Sequence, residues 1–442
     1  MTTFKAANDT PAAAADRIRG AMNIAQIAEA VIEPPFPFRL KVYDGSSAEP
    51  DDAAFGVEIV HPRAMNYLVT APGDLGLARA YIAGDLQFTG VHPGDLYPLL
   101  RMLADGLHLR RPSPVVLVDM AKSLGWRAFA PVSPPPQEAP PRWRRTAHGL
   151  RHSKARDAES ISKHYDVSNT FYEYVLGPSM AYTCAVFSEP EQSLDDAQEA
   201  KYRLVFDKLG LRPGQRLLDI GCGWGSMVRH AARRGVRALG VTLSAEQATW
   251  AQQMIRREGL QDLAEVRHLD YRDVTESCFD AVSSIGLTEH IGVTNYPAYF
   301  AELRDLLRPG GRLLNHCITR PANNSAYKTE AFIDRYVFPD GELTGSGRII
   351  TEMQDAGLEI RHSENLREHY GLTLRDWCAN LERHWDDCVS EVGEGSAKVW
   401  GLYLAGSRMG FERNQIQLHQ VLAVKPADQG ASDVPLRPWW SG

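Results

Sequence analysis

Leu218-Asp219-Ile220-Gly221-Cys222-Gly223-Trp224-Gly225 decides the fold of this chain: an apolar run enters three alternating glycines. Residues 216–220 predict a buried strand, and residues 226–234 the helix that follows it. Glycines at such a junction let the backbone turn sharply and come within contact distance of a bound nucleotide. The spacing is G-x-G-x-G rather than the G-x-G-x-x-G of dinucleotide sites, and a carboxylate, Asp219, stands just ahead of it. A pyrophosphate wants bare amides at a helix N-terminus. A carboxylate at a strand end suits a ligand that carries an ammonium group, as the methionine part of S-adenosylmethionine (SAM) does. A tight glycine turn in an unrelated α/β protein is the alternative. The segments that follow favour SAM.

Residues 236–242 predict a second strand, and Leu243-Ser244-Ala245-Glu246-Gln247 opens the next helix. Ser244 is its expected N-cap, with Gln247 three residues on in a capping-box pattern. Many nucleotide-binding folds place a carboxylate here for the ribose hydroxyls; this chain offers Glu246 and the amide of Gln247. Residues 266–272 predict a third strand that delivers Asp270, Tyr271 and Arg272 to the same edge. There an acid can accept from an adenine amino group, and a ring can stack on the base. Residues 279–286 predict a fourth strand; residues 303–307, 308–311 and 312–316 predict helix, turn and fifth strand. Strand and helix alternate throughout. The expected architecture is α/β, a Rossmann-like, mostly parallel sheet with helices on both faces.

At 442 residues the chain is long for one domain and comfortable for two. A formal charge of −7 argues against a bulk nucleic-acid binder, and no nucleic-acid partner is expected. No apolar run is long enough to span a bilayer, and the N-terminus lacks a signal-peptide core, so a cytoplasmic location is expected. The six cysteines form no C-x-x-C pair and no metal-ligand spacing, which predicts free thiols and no metal. Six prolines between Pro131 and Pro141 predict an extended spacer. Arg142, Arg144, Arg145, Arg151, Lys154 and Arg156 follow it without an acid. They read equally as a solvated linker face or as a contact with anionic headgroups, where each cation contributes about 1 kcal/mol. The expected division is a disordered tail at 1–14, a smaller N-terminal α+β domain at 15–130, a proline-rich and basic linker at 131–155, the nucleotide-binding domain at 156–425 and a C-terminal tail at 426–442. Residues 38–43 and 57–60 predict strands, and 75–81 and 93–103 helices. No chemistry is visible in this first domain, which reads as a docking or regulatory module.

Four polar or aromatic clusters surround the nucleotide core. They are residues 164–172 with 180–187, Thr288-Glu289-His290, His316-Cys317-Ile318, and residues 369–377. Positions after the carboxyl ends of parallel strands face the ligand crevice, which places Glu289 and His316 well. Each histidine alone is as readily a satisfied structural group as a catalyst. An acid and an imidazole converging beside a SAM pocket say more.

These clusters make the chain resemble the cyclopropane-fatty-acid synthase family, which includes the mycolic acid cyclopropane synthases. The likeness spans roughly residues 155–425 and rests on His164 to Tyr172, Tyr182-Thr183-Cys184-Ala185, Leu218 to Gly225, Thr242 to Gln247, Asp270-Tyr271-Arg272, Glu289-His290, Tyr336-Val337-Phe338-Pro339 and His369-Tyr370 with Trp377. A looser likeness reaches residues 75–84. The resemblance implies SAM-dependent transfer of a methyl carbon to a cis double bond in a phospholipid acyl chain. It implies a SAM site at Tyr182, Thr183, Asp219, Gly221, Gly223, Thr242, Leu243, Gln247, Tyr271 and Arg272. It also implies a bicarbonate ion held by Cys184, Glu289, His316, Ile318 and Tyr370, with Cys184 and Ile318 contributing backbone atoms. A homodimer through the N-terminal domain and a location peripheral to the inner face of the plasma membrane belong to the same expectation. The chain departs from the pattern at Ser407, where many relatives carry cysteine, at residues 340–345, and at Leu287-Thr288 ahead of Glu289. The last change, with residues 294–297 beyond it, leans toward the branch that makes 10-methylene-stearoyl lipids, the precursors of 10-methyl (tuberculostearic) acids.

The reaction suits these residues. An alkene is a weak nucleophile, so positioning against the sulfonium provides much of the acceleration. Methyl transfer leaves a carbocation, which aromatic rings stabilise by up to about 2 kcal/mol each when desolvated. Tyr182, Phe171, Tyr172, Phe187, Tyr336 and Phe338 are candidates, each also explicable as core. A base must then take a proton, a role for bicarbonate held by Glu289, His316 and Tyr370. Loss of a proton from the transferred methyl closes a cyclopropane; a hydride shift before that loss gives an exocyclic methylene, which needs a separate reductase partner to become a methyl branch. Competing readings are a SAM methyltransferase of a soluble small molecule and a non-enzymatic SAM-binding scaffold.

Overall fold

The computed structural model describes residues 21–50, 52–140, 168–325 and 329–440. It divides into two compact units, Met1–Gly90 with Met102–Ser133 and Val91–Arg101 with Pro134–Gly442. The chain first runs through α1 (Ile24–Val31), β1 (Arg39–Val42), β2 (Ser47–Ala48), β3 (Gly56–Ile59), α2 (Arg63–Thr70), α3 (Asp74–Ile82), β4 (Leu86–Thr89), α4 (Tyr97–Gly106) and α5 (Pro114–Leu124). The four strands form one sheet in the order β2-β1-β3-β4, with β1 and β3 parallel. The N-cap Asn23 accepts from the Gln26 amide and Gln26 returns the bond, a complete capping box that starts α1. Helix α4 begins later than the expected residue 93 because the Asp95 carboxylate accepts from the Tyr97 amide (3.0 Å) and fixes the first turn there.

The second unit continues with α6 (Asn169–Leu176), α7 (Leu194–Leu209), β5 (Arg216–Ile220), α8 (Ser226–Ala232), β6 (Arg237–Thr242), α9 (Ala245–Arg257), β7 (Ala264–His268), β8 (Phe279–Ile285), α10 (Thr288–Ile291), α11 (Tyr296–Leu306) and β9 (Leu307–Thr319). After these come α12 (Ala331–Tyr336), α13 (Ser346–Asp355), β10 (Glu359–Asn365), α14 (Arg367–Arg383), α15 (Trp385–Val392), α16 (Glu394–Glu412) and β11 (Gln417–Val424). Seven strands form one sheet in the order β10-β11-β9-β8-β5-β6-β7. Strands β5 to β9 are parallel, and β11 runs antiparallel to both β9 and β10. Each parallel strand feeds both faces of the sheet. Leu217 joins the cluster beneath α7, α8 and α9, and its neighbour Leu218 joins the cluster beneath α11 and α13. Burial on both faces is why these strands read as unbroken apolar runs.

Three expectations shift. The third strand ends at His268, and Tyr271–Asp273 form a 3-10 turn capped by the Asp270 carboxylate, which accepts from the Arg272 amide at 2.9 Å. The expected turn at 308–311 lies inside β9, where Gly310 takes a positive φ and its amide bonds the Lys425 carbonyl (2.7 Å). The spacer has no regular structure over residues 131–140 but is not free. The Ala139 amide donates to the Arg335 carbonyl and the Ala139 carbonyl accepts from the Arg335 Nε, while the buried Glu138 carboxylate takes the Arg335 guanidinium and the Tyr336 hydroxyl. Residues 134–140 therefore lie as a strap against α12. The basic run from Arg142 to Arg156 lies outside the described residues.

Candidate active site

The sheet order reverses between β5 and its two neighbours, β6 and β8, and a ligand crevice opens where the strands on either side lead away. The parallel register sets Asp219 of β5 beside Ser283 of β8, whose hydroxyl donates to the carboxylate at 2.6 Å. Burial pushes the Asp219 carboxyl up to about 7, against the pull of that bond and of the Lys201 ammonium. Gly221 follows with φ +68°, and a Cβ there would sit 3.2 Å from the Leu287 Cβ. Only glycine fits this turn without strain. Along β6, the Thr242 hydroxyl donates to the Gln247 carboxamide oxygen (2.8 Å), and Ser244 caps α9 by accepting from the Gln247 amide.

All ten residues that the resemblance implies for SAM line one cavity. Lys201, Tyr202 and Met227 line it too. Lys201 had a signal in the sequence, a lysine four residues after Ala197 and four before Val205 on the buried stripe of α7. Asp270 does not line this cavity; both its oxygens bind the guanidinium of Arg272 (2.8 and 2.6 Å), which does. Glu246 is exposed and absent from the cavity lining, so Gln247 is the member of that pair that faces the ligand space. Leu287 lines the cavity, whereas the Thr288 hydroxyl turns away to Asn315 (2.6 Å).

The acid and the imidazole form a second centre. None of its five expected residues lines the cofactor cavity. Glu289 Oε1 accepts from the Ile318 amide at 2.7 Å, while Oε2 is buried without a hydrogen-bond partner. Burial pushes this carboxyl up to about 7, against the pull of the Ile318 bond. His316 is wholly buried between Gln420 (Nδ1, 3.1 Å) and the Thr183 hydroxyl (Nε2, 3.1 Å). Its tautomer follows from the network. Lys208 donates to the Gln420 carboxamide oxygen (2.7 Å), so the Gln420 nitrogen donates to Nδ1 and the ring proton sits on Nε2. Burial and the nearby Lys201 and Lys208 ammonium groups hold the ring well below the usual histidine range, so it is neutral. Because Thr183 also lines the cofactor cavity, its bond to His316 joins the two centres. Cys184 and Tyr370 meet at the Leu366 carbonyl, which accepts from the Cys184 thiol and the Tyr370 amide.

Rings fill the ground between. Tyr182 packs on Tyr172, Trp377 and Trp400 with centroids 5.5 to 5.9 Å away, and its hydroxyl meets that of Tyr403 at 3.0 Å. Phe338 bridges His290 and Tyr403. Phe171 lies against Trp400, Tyr336 is held by the strap, and Phe187 sits apart with Ala185 and Ala197. Trp400 and Tyr403, three residues apart on α16, were not visible as site residues in the sequence. His369 accepts from the Phe187 amide (3.1 Å), a structural bond. The departing segment at 340–345 runs beside the acid: the Glu342 amide donates to the Glu289 carbonyl. Residues 164–167 lie outside the described residues.

Residues 152–421 match the family model described as mycolic acid cyclopropane synthetase. The chain belongs to this family. It is a SAM-dependent methyltransferase of the cyclopropane-fatty-acyl synthase type, with the mixed α/β fold of its relatives. A probable fatty acid methyltransferase of Mycobacterium tuberculosis is 64% identical over 404 residues, covering 91% of this chain and 95% of that one. The tuberculostearic acid methyltransferase UfaA1 of the same organism is 32% identical over 402 residues and 88% of each chain. Among solved structures, the mycolic acid cyclopropane synthase CmaA1 complexed with SAH and CTAB is 30% identical, with a TM-score of 0.57 over 60% of this chain and 97% of that one. The cavity fits SAM on its own terms: a carboxylate, a glycine turn that a Cβ would crowd, and an ammonium group, Lys201 Nζ, buried without a hydrogen-bond partner.

Proposed function

We propose that this methyltransferase adds a methyl carbon to the cis double bond of an unsaturated phospholipid acyl chain and releases a 10-methylene product. The observation that carries the reading is Glu289 Oε2, an acceptor buried without a partner on an acid whose proton affinity is poised near neutrality. Methylation of a soluble amine or hydroxyl sheds its proton to water. A carbocation walled from water needs an acceptor inside the protein.

Bound SAM supplies an electrophilic methyl carbon. Asp219 orients its ammonium end, and the glycine turn brings backbone close to it. Tyr182, backed by Trp377, Trp400 and Tyr403, offers the electron-rich ring beside the cavity. His316, held neutral, directs its Nε2 proton toward Thr183 and serves as a donor rather than a base. Glu289 accepts the departing proton at Oε2. A bicarbonate ion would fit the donor set only in part: Glu289 offers the unpaired acceptor, but His316 spends its one proton on Thr183 and the Ile318 amide already belongs to Glu289 Oε1. Held there it would supply a mobile proton acceptor. The lean toward a methylene product rests on Leu287, which replaces the family's usual residue in the cavity wall, and on the similarity to the tuberculostearic acid methyltransferase.

A phospholipid acceptor calls for an enzyme that works at a membrane surface. No helix among the described residues is long and apolar enough to cross one. In the first unit, α5 buries none of its residues and exposes Val115, Leu117 and Val118, with Leu109, Trp126 and Phe129 beside it in sequence. Arg110, Arg111, Lys122 and Arg127 flank this face against one acid, Asp119, the charge pattern of a helix lying on an anionic bilayer. Incubation with SAM and dioleoyl phospholipid vesicles, followed by mass spectrometry of the fatty esters, is expected to show a gain of one CH2 unit. Hydrogenation before analysis separates methylene from ring. No gain refutes the acceptor. Val115→Glu with Val118→Glu is expected to abolish flotation with phosphatidylglycerol vesicles while leaving SAH binding intact.

A further inference from the structure

The cofactor cavity has a second polar end. Lys201 lies on the apolar stripe of α7, with no side-chain exposure. Its Nζ has no hydrogen-bond partner and rests on the ring of Tyr202, 3.5 Å from the centroid. An ammonium in such a place is strongly disfavoured unless something pairs with it. Asp219 lines the same cavity, and its charge is felt by Lys201, yet no ion pair joins the two. A carboxylate and an ammonium thus belong to the lining of one cavity without pairing with each other. An amino-acid zwitterion, which carries both opposite charges on one carbon, is the ligand that pairs with both.

We propose that Lys201 is the seat of the carboxylate of the methionine part of SAM, while Asp219 takes its ammonium. The pair reads the zwitterion from both ends. It fixes the rotation of the methionine chain and with it the direction in which the sulfonium methyl points. Burial lowers the Lys201 ammonium to about 7 and raises Asp219 to about 7, so each charge is restored fully only when its counterpart on the ligand arrives. Lys201 is in this sense a positioning residue for methyl transfer. The inference rests on SAM binding alone and holds whatever the acceptor.

The test is calorimetric titration of the full-length protein with two ligands: S-adenosylhomocysteine, and S-adenosyl-3-thiopropylamine, which keeps the ammonium and lacks only the carboxylate. The wild type is expected to prefer the first by about 10- to 100-fold, the worth of one charge-assisted hydrogen-bonded pair. Lys201→Met is expected to lose that preference, with S-adenosylhomocysteine weakened by the same factor and the decarboxylated ligand unchanged. Lys201→Gln is expected to behave alike. Removal of an unpaired buried charge leaves the thermal midpoint of the ligand-free protein equal or higher, which separates a lost contact from a damaged fold. Equal weakening of both ligands in Lys201→Met, or undiminished binding of S-adenosylhomocysteine, overturns the assignment. So does a wild type without preference between the two ligands. A wild type that binds neither ligand overturns the cofactor cavity itself.

Discussion

Glu289→Gln is expected to make the enzyme more stable and inactive, and the stability gain depends on pH. The carboxyl is buried and pushed up from 4.5 to about 7. Because the folded-state value lies above the unfolded one, the acid's favourable contribution is present below pH about 4.5 and disappears as pH rises through 7. A rise of roughly 2.5 units at 1.36 kcal/mol each makes the ionised carboxylate cost about 3 kcal/mol relative to a neutral group. Glutamine keeps an oxygen for the Ile318 amide and never ionises. The variant should therefore match the wild type at pH 4.5 and exceed it by up to about 3 kcal/mol at pH 8.5, a shift of several degrees for a unit of this size. At pH 8.5, where the wild-type acid is ionised, turnover should fall by about 10²- to 10⁴-fold, as for loss of a general base, and the difference should narrow toward pH 4.5. Thermal unfolding followed at pH 4.5, 6, 7.5 and 8.5 in parallel with vesicle turnover makes the comparison. A stability difference that is flat across these pH values, or a variant that still methylates, refutes the reasoning. Wild-type kcat/KM should in turn rise with pH through about 7, since only the deprotonated acid accepts a proton.

Other outcomes follow from the same geometry. Gln420→Glu converts a donor facing His316 Nδ1 into an acceptor, so the ring proton should move from Nε2 to Nδ1, visible as exchanged ¹⁵N shifts of the two ring nitrogens, and turnover should drop while SAH affinity holds. Gly221→Ala forces an L-residue to φ +68° and a Cβ against Leu287; it should cost about 1–2 kcal/mol and weaken SAH binding in calorimetry. Glu138→Ala leaves the Arg335 guanidinium and the Tyr336 hydroxyl without that carboxylate and should cost about 3 kcal/mol, with the Ala139 amide losing its protection in hydrogen exchange.

The parallel strands were legible because burial on both faces writes them as apolar runs that end in glycine or a polar residue, as at Ile220-Gly221 and Ile285-Gly286. Strand β10, with the sequence EIRHSEN, lies at the sheet edge and alternates half-buried with exposed positions, so its composition resembles a surface loop. The cofactor residues were legible because a glycine turn and two strand ends define them locally. Trp400 and Tyr403 were not, since aromatic residues on a helix look the same whether they wall a site or fill a core. Lys201 reads as solvated until the periodicity of α7 is traced through it. Asp270 shows the opposite case. An acid at a strand end reads as a ligand group, and its partner, Arg272, stood only two residues on.

Most of the donor cradle is contiguous in the chain, running from β5 through α10 with Tyr182, Thr183 and Lys201 added from before it, whereas the aromatic wall comes from residues 171–182 and from α14 and α16. Most of the cofactor grip, Leu287 and the proton acceptor Glu289 are thus inherited on one segment, physically separable from the aromatic wall. A chimaera that transplants only residues 216–291 between two family members should carry the source enzyme's product with it, and laboratory recombination aimed at new branched lipids has its natural crossover points at those two seams.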